Sequence, residues 1–324
     1  MKTQQIILCV CSLFFIMSNS GCGQSTEPPF TPTPNVPTAA TSRVTLTPSF
    51  RPLPTASSTQ TPTPTMVPTL PSEEARAELL QLLSNNGDCR LPCLWSIAPG
   101  RSSSQEAAAI LAPLSSLSDF TSLFPSPGDI SPSYLEGNVA IYTRIAYLYS
   151  ENGVVNTITF NAEAHKPLAQ GGYEDVFDSK FLGEKVSAYT LPHVLTEQGV
   201  PSSVMIETAG GPLTRGGRGG FDILLLYPDQ GILVNYRTQM HLNGVNVRGC
   251  PANAYVQMEL YPPGQPDSFF EGLKQTDWTV KMNVDYKPLE EVTSMSVQEF
   301  YDTFREPTDK CIETPAKLWP TPEP

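Results

Sequence analysis

The chain has 324 residues, a formal net charge of -12 and 33 prolines. A surface that acidic repels phosphate backbones and anionic headgroups, which argues against nucleic acid and direct electrostatic membrane binding and leaves room for a cationic partner. Proline crowding in the first quarter leaves one globular unit, of about 250 residues, as the expected folded part.

Lys2 precedes an apolar run from Ile6 to Met17 that is too short to span a bilayer and gives way at once to small polar residues. Residues 1–21 are therefore expected to be an export signal. Two cuts fit. Ser18 and Ser20 supply the small-x-small pattern for cleavage after Ser20, whereas Gly21-Cys22 resembles the end of a bacterial lipobox, with Asn19 where an aliphatic residue is usual. Cysteine parity favours the second. Cys9 and Cys11 leave with the leader, so Cys22, Cys89, Cys93, Cys250 and Cys311 form an odd set in an oxidising compartment. Acylation of Cys22 frees the other four to pair and places the protein on the extracytoplasmic side of a membrane, held there by its lipid.

Residues 22–71 comprise this anchor site and a Pro/Thr-rich linker with TPTP at both Thr31 and Thr61. Such a tract cannot bury enough apolar surface to offset its ordering entropy, and as polyproline II it reaches roughly 150 Å at about 3.1 Å per residue. The globular domain is expected over 72–319, with sub-units 72–170 and 171–319, and residues 320–324 form a tail.

The domain opens with SEEARAELLQLLSNNGDC. Here Ser72 is a cap, Leu79, Leu80, Leu82 and Leu83 form the apolar face, and Asn85, Asn86 and Gly87 stop the helix. Ser103 and Glu106 have capping-box spacing ahead of a second helix. The period then changes to two, and Asn152-Gly153 divides alternating segments that read as a hairpin. Thr190 caps TLPHVLTEQG, Gly199 and Pro201 end it, and strand-like runs follow at SSVMIET, FDILLLYPDQGILVNY and AYVQMELYPP. Ser296 and Glu299 repeat the capping-box spacing on a helix with Val297, Phe300, Tyr301 and Phe304 as its stripe. The fold class is α+β: two helix-plus-antiparallel-sheet units with a C-terminal helix.

The run CRLPCLWSIAPGRSSSQEAAAIL, with LPHVLTEQGVPSSV, LLLYPDQGI and CIETPAKLW, resembles uncharacterised bacterial lipoproteins in which a Cys-x-x-Pro-Cys-aromatic stretch precedes a Pro-Gly-x-Ser/Thr helix start. That family implies no activity. More distantly, Gly-x-Ser starts and Gly-x-Pro exits are similar to lipoproteins of the SmpA/OmlA type and to tandem-repeat β-lactamase inhibitor proteins. That likeness implies binding modules without chemistry. The first unit departs by lacking the Gly-x-Pro exit, and the second has Tyr189-Thr190 in place of Gly-x-Ser.

Cys89, Cys93, Cys250 and Cys311 could form a zinc site, but such sites use two compact pairs, and structural disulfides suit an exported chain better. Of the three connectivities, Cys89–Cys93 with Cys250–Cys311 is preferred because a proline-bent turn brings i and i+4 into range. A redox-active pair is a further option. No metal or cofactor is expected. The loop Ala209 to Gly220 carries Arg215 and Arg218 but lies between strands and lacks the Lys-Ser/Thr of a phosphate loop, so it reads as a mobile connection whose arginines can meet an acidic partner. His165, His193 and His241 are far apart, and no nucleophile elbow is present. Trp95, Trp278, Trp319, Tyr255, Tyr261, Phe269 and Phe270 are candidates for a glycan or peptide groove or for ordinary packing. These readings converge on a tethered, non-catalytic envelope module that binds a protein or polymer. The alternatives are an exported hydrolase with a dispersed site and a small-ligand sensor.

Overall fold

The computed structural model describes residues 68–117, 128–169, 173–177, 179–209, 219–276, 282 and 285–319, all within the compact unit Thr63–Pro324. The leader, Cys22, most of the linker, Arg215, Arg218, Trp278 and the tail lie outside these residues.

Helix α1 (Ser72–Asn85) buries Ala75, Leu79, Leu82 and Leu83, spaced for one helical face. Ser72 is not its cap. Pro71 holds that position with no side-chain hydrogen bond, and its carbonyl accepts from Ala75 N instead. Asn86 and Gly87, both at positive φ, end the helix. Helix α2 (Ser104–Leu111) starts with the expected Ser103–Glu106 capping box.

The strands that follow are β1 (Asp129–Ile130), β2 (Ser133–Glu136), β3 (Val139–Tyr149), β4 (Val155–Pro167) and β5 (Tyr173–Asp175). The β3–β4 hairpin turns through 150–154, with Gly153 at φ 76° and a register shift at Leu148/Tyr149. Next come α3 (Ser179–Lys185), α4 (Leu191–Gln198), β6 (Ser203–Ala209), β7 (Gly220–Tyr227) and β8 (Ile232–Gln239). Thr190 sits at the α4 N-cap, yet its hydroxyl donates to Ser187 O rather than accepting from the helix. Gly231, at φ 69° beside the Tyr261 carbonyl, has neither the backbone angle nor the room for a side chain.

The rest is β9 (His241–Asn243), β10 (Asn246–Gly249), β11 (Tyr255–Leu260), α5 (Pro266–Gln275), β12 (Lys287–Pro288), α6 (Leu289–Val292), α7 (Val297–Phe304) and β13 (Ile312–Pro315). The Ser296–Glu299 capping box opens α7. That helix is followed by a strand rather than closing the domain.

Ten antiparallel strands form one sheet in the order β1-β3-β4-β11-β8-β7-β6-β12, with β2 on β3 and β5 on β4. The two expected sub-units are thus halves of a continuous sheet joined where β11 pairs β4, and β5 extends the first half past the expected boundary at 170. One face is packed against the helices in a single core that includes Leu79, Trp95, Ile145, Phe160, Tyr189, Val234 and Phe300. On the other face, α5 seals only β6–β8, through Phe269 and Leu273 on Leu224, Leu226 and Leu233. A second sheet, β13-β10-β9, lies against the first where Gly249 meets the Phe221 ring, an approach that excludes any Cβ. The disulfides are Cys89–Cys93 and Cys250–Cys311, the preferred connectivity.

Candidate functional site

Alternation along β4 sends Ile158, Phe160, Ala162 and Ala164 into the core and Thr159, Asn161, Glu163 and His165 to the opposite face. Register carries this polar stripe across neighbouring strands. Arg144 lies opposite Asn161, Asn161 opposite Gln257, and Gln257 opposite Asn235. One row over, Arg237 lies opposite Asp222 and Asp222 opposite Glu207. Because α5 covers only part of this face, two depressions remain, neighbours through the Asn161–Gln257 pair.

The larger, about 690 Å³, is lined by Tyr142, Arg144, Asn161, Glu163, His165, Tyr173 and Asp175 among others. His165 is its centre. Nε2 donates to Glu163 Oε2 at 3.0 Å, and Nδ1 stands 3.0 Å from Asp175 Oδ1. The hydrogen bond to Glu163 raises the imidazole pKa against the opposing effect of burial, with the charges of Glu163 and Asp175 adding to the rise. With its two nitrogens facing carboxylates on different strands, the ring ties β4 to β5. Three tyrosines pack around it, with centroids at 5.2 Å (Tyr142), 6.2 Å (Tyr173) and 5.8 Å (Tyr255). At the rim, Arg144 bonds Asp129 at 2.8 Å while its side chain stays 55% exposed. Asn161 Oδ1 is buried with no hydrogen-bond partner among the described residues.

The smaller depression, about 180 Å³, holds Glu207, Asp222, Asn235, Arg237, Gln257, Asp285 and Tyr286. Asn235 Nδ2 donates to Asp222 Oδ1 at 3.0 Å, and Arg237 reaches Asp222 Oδ2 at 3.3 Å. Burial, then the charges of Asp222 and Asp285, push Glu207 up to about 7. Folded protein therefore keeps a proton that the unfolded chain releases near 4.5, so stability falls as pH rises from 4.5 to 7. His165 acts in the same sense: its contribution is present below 6.5 and lost as pH rises through its raised folded value. Urea midpoints from pH 5 to 8 are expected to fall steadily, Glu207→Gln to flatten the part below 7, and His165→Gln the part above 6.5. An unchanged slope in Glu207→Gln contradicts the assignment.

The aromatics offered for a groove mostly pack inside. Trp95, Trp319, Tyr255, Tyr261 and Phe269 are buried, and of those described only Phe270 is exposed. Trp95 is fixed by its indole N–H donating to Tyr189 Oη at 2.8 Å. The tyrosines that do reach the open face, Tyr142 and Tyr173, carry no local sequence signal beyond strand alternation. His193 lies half-exposed on α4, 3.6 Å from Glu197, and His241 is exposed on β9. Among the described residues there is no cluster of three or more metal-ligating side chains, and no helix is long and apolar enough to cross a membrane. Comparison with protein-family models, curated proteins and solved structures gives no match.

Proposed function

We propose that the chain is an exported, non-catalytic binding module. A lipid on Cys22 and the linker 22–71 hold it to the extracytoplasmic face of a membrane, and the open sheet face captures an envelope polymer rich in hydroxyl and amide groups. One observation carries the reading: a stripe of carboxamide and carboxylate groups, including Asn161 Oδ1 with no hydrogen-bond partner among the described residues, lines a depression flanked by Tyr142 and Tyr173. An unpaired buried acceptor gains most from a ligand hydroxyl or amide, and tyrosine faces suit the apolar side of a sugar ring. The leader, the cysteine parity and the linker composition support the tether.

The full chain carrying Cys22→Ser is expected to move from the membrane to the soluble fraction and there to co-sediment with insoluble cell-wall polysaccharide. Asn161→Ala combined with Tyr173→Ala is expected to weaken that binding at least tenfold. An unchanged membrane fraction refutes lipidation at Cys22, and undiminished binding by the double variant refutes this face.

A second reading, an exported hydrolase, is favoured by the pair Glu207 and Asp222. A carboxyl group that keeps its proton up to about 7 beside a second carboxylate is the pairing glycoside hydrolysis uses. New reducing ends in the same polymer, lost in Glu207→Gln, select this reading.

A further inference from the structure

The helix-covered side of the sheet contains a separate cavity of about 450 Å³, within the range of small-molecule sites. Leu182 and Val186 wall it on one side, Leu191 and Phe304 on another, and Tyr236 and Val256 form its floor. Its tyrosines make no demand on a ligand. The Tyr236 hydroxyl donates to Tyr189 O at 3.0 Å, and the Tyr189 hydroxyl donates to Asn86 Oδ1 at 2.9 Å. Neither hydroxyl is left over for a ligand, and Leu182, Val186, Leu191, Val256 and Phe304 offer it apolar contact. The rim comprises Pro251, Ala252 and Ala254 on one side and Pro307 to Asp309 on the other, tied together by Cys250–Cys311.

Pro307 and Thr308 also line an adjoining depression of about 410 Å³ that holds Glu299, Asp302 and Glu306. The exposed Asp309 lines the cavity itself, while the three carboxylates of the adjoining depression lie with Lys310, and Arg305 stands 3.9 Å from Asp302. Glu299 accepts from Ser296 N at 2.8 Å, and this bond lowers its pKa and keeps it ionised. The net charge at the rim has the sign of the whole chain, -12.

We propose that this cavity is a second binding site, on the face opposite the polar stripe, and that it takes a cationic amphiphile: the apolar end enters between α3, α4 and α7, and the cationic end lies over the acidic depression. Titration calorimetry of the soluble Cys22→Ser chain with decyltrimethylammonium, decanol and decanoate, each below its micelle concentration, tests it. The expected result is one saturable site with the cation at least tenfold tighter than the anion. Glu306→Gln with Asp309→Asn is expected to cut that preference at least threefold and leave decanol unchanged. Ala254→Phe, at the mouth, is expected to block all three ligands, with Thr308→Trp as a second blocking variant should the first not fold. No saturable binding, binding untouched by either blocking variant, or decanoate bound as tightly as the cation overturns the proposal.

Discussion

Replacing Cys250 and Cys311 together with alanine is expected to remove about 4 kcal/mol of stability, the loop-closure value for a bridge between residues 61 apart. For a domain this size the loss lowers the melting temperature by roughly 10 °C. The bridge sits beside the ladder pair Gly249 and Ile312, so it staples β10 to β13 at the point where the small sheet leans on Phe221. Cys89 and Cys93 are only four residues apart, and the same reasoning gives about 2 kcal/mol for their removal. Calorimetric scans of the two double variants check the order. Equal losses, or a larger one at Cys89–Cys93, contradict the chain-entropy account.

Asn86→Ala has the second-largest expected effect. The Asn86 side chain is 5% exposed and makes four hydrogen bonds: Nδ2 donates to Cys89 O (2.6 Å) and Cys93 O (2.9 Å), while Oδ1 accepts from Trp95 N (3.1 Å) and the Tyr189 hydroxyl (2.9 Å). Alanine strands buried polar groups at about 1 kcal/mol or more each, and also loses the tolerance of asparagine for φ 56°. A loss of about 3 kcal/mol in urea unfolding is expected. Asn85→Ala, whose amide serves only the exposed turn at Gly87 and Asp88, is expected to cost less than about 1 kcal/mol. Equal effects at both positions remove Asn86 from the centre of this network.

Local signals were legible where local chemistry decides. Both capping boxes form at Ser103 and Ser296 because donor and acceptor lie within one helical turn. Asn152-Gly153 marks a real hairpin, though bulged and wider than two residues. What failed was nonlocal or sparsely encoded. Helix α5 escaped notice because it buries only Phe269 and Leu273 and turns Phe270 outward. The joining of both halves depends on β11 meeting β4 about a hundred residues away, a choice of edge that no periodicity encodes. The site divides the same way. Glu163 and His165, two apart on a strand, share a face, and that spacing could have been read. Asp175 arrives on a separate short strand, and the pairing of Glu207 with Asp222 depends on a register fixed across the glycine-rich connection.

The place of β11 in the sheet also governs when the molecule can assemble. This strand comes late in the chain yet occupies the middle of the ladder, held on one side by β4 and on the other by β8. Without it the β4 and β8 ladders would each lack the partner that joins them, leaving hydrogen-bonding edges of the kind that recruit other chains. Joining the two halves waits on contacts of high sequence separation, the kind that slows folding, and needs residues 255–260. On the export route proposed above, the sheet stays incomplete until residues 255–260 have crossed, since both of its halves pair through them.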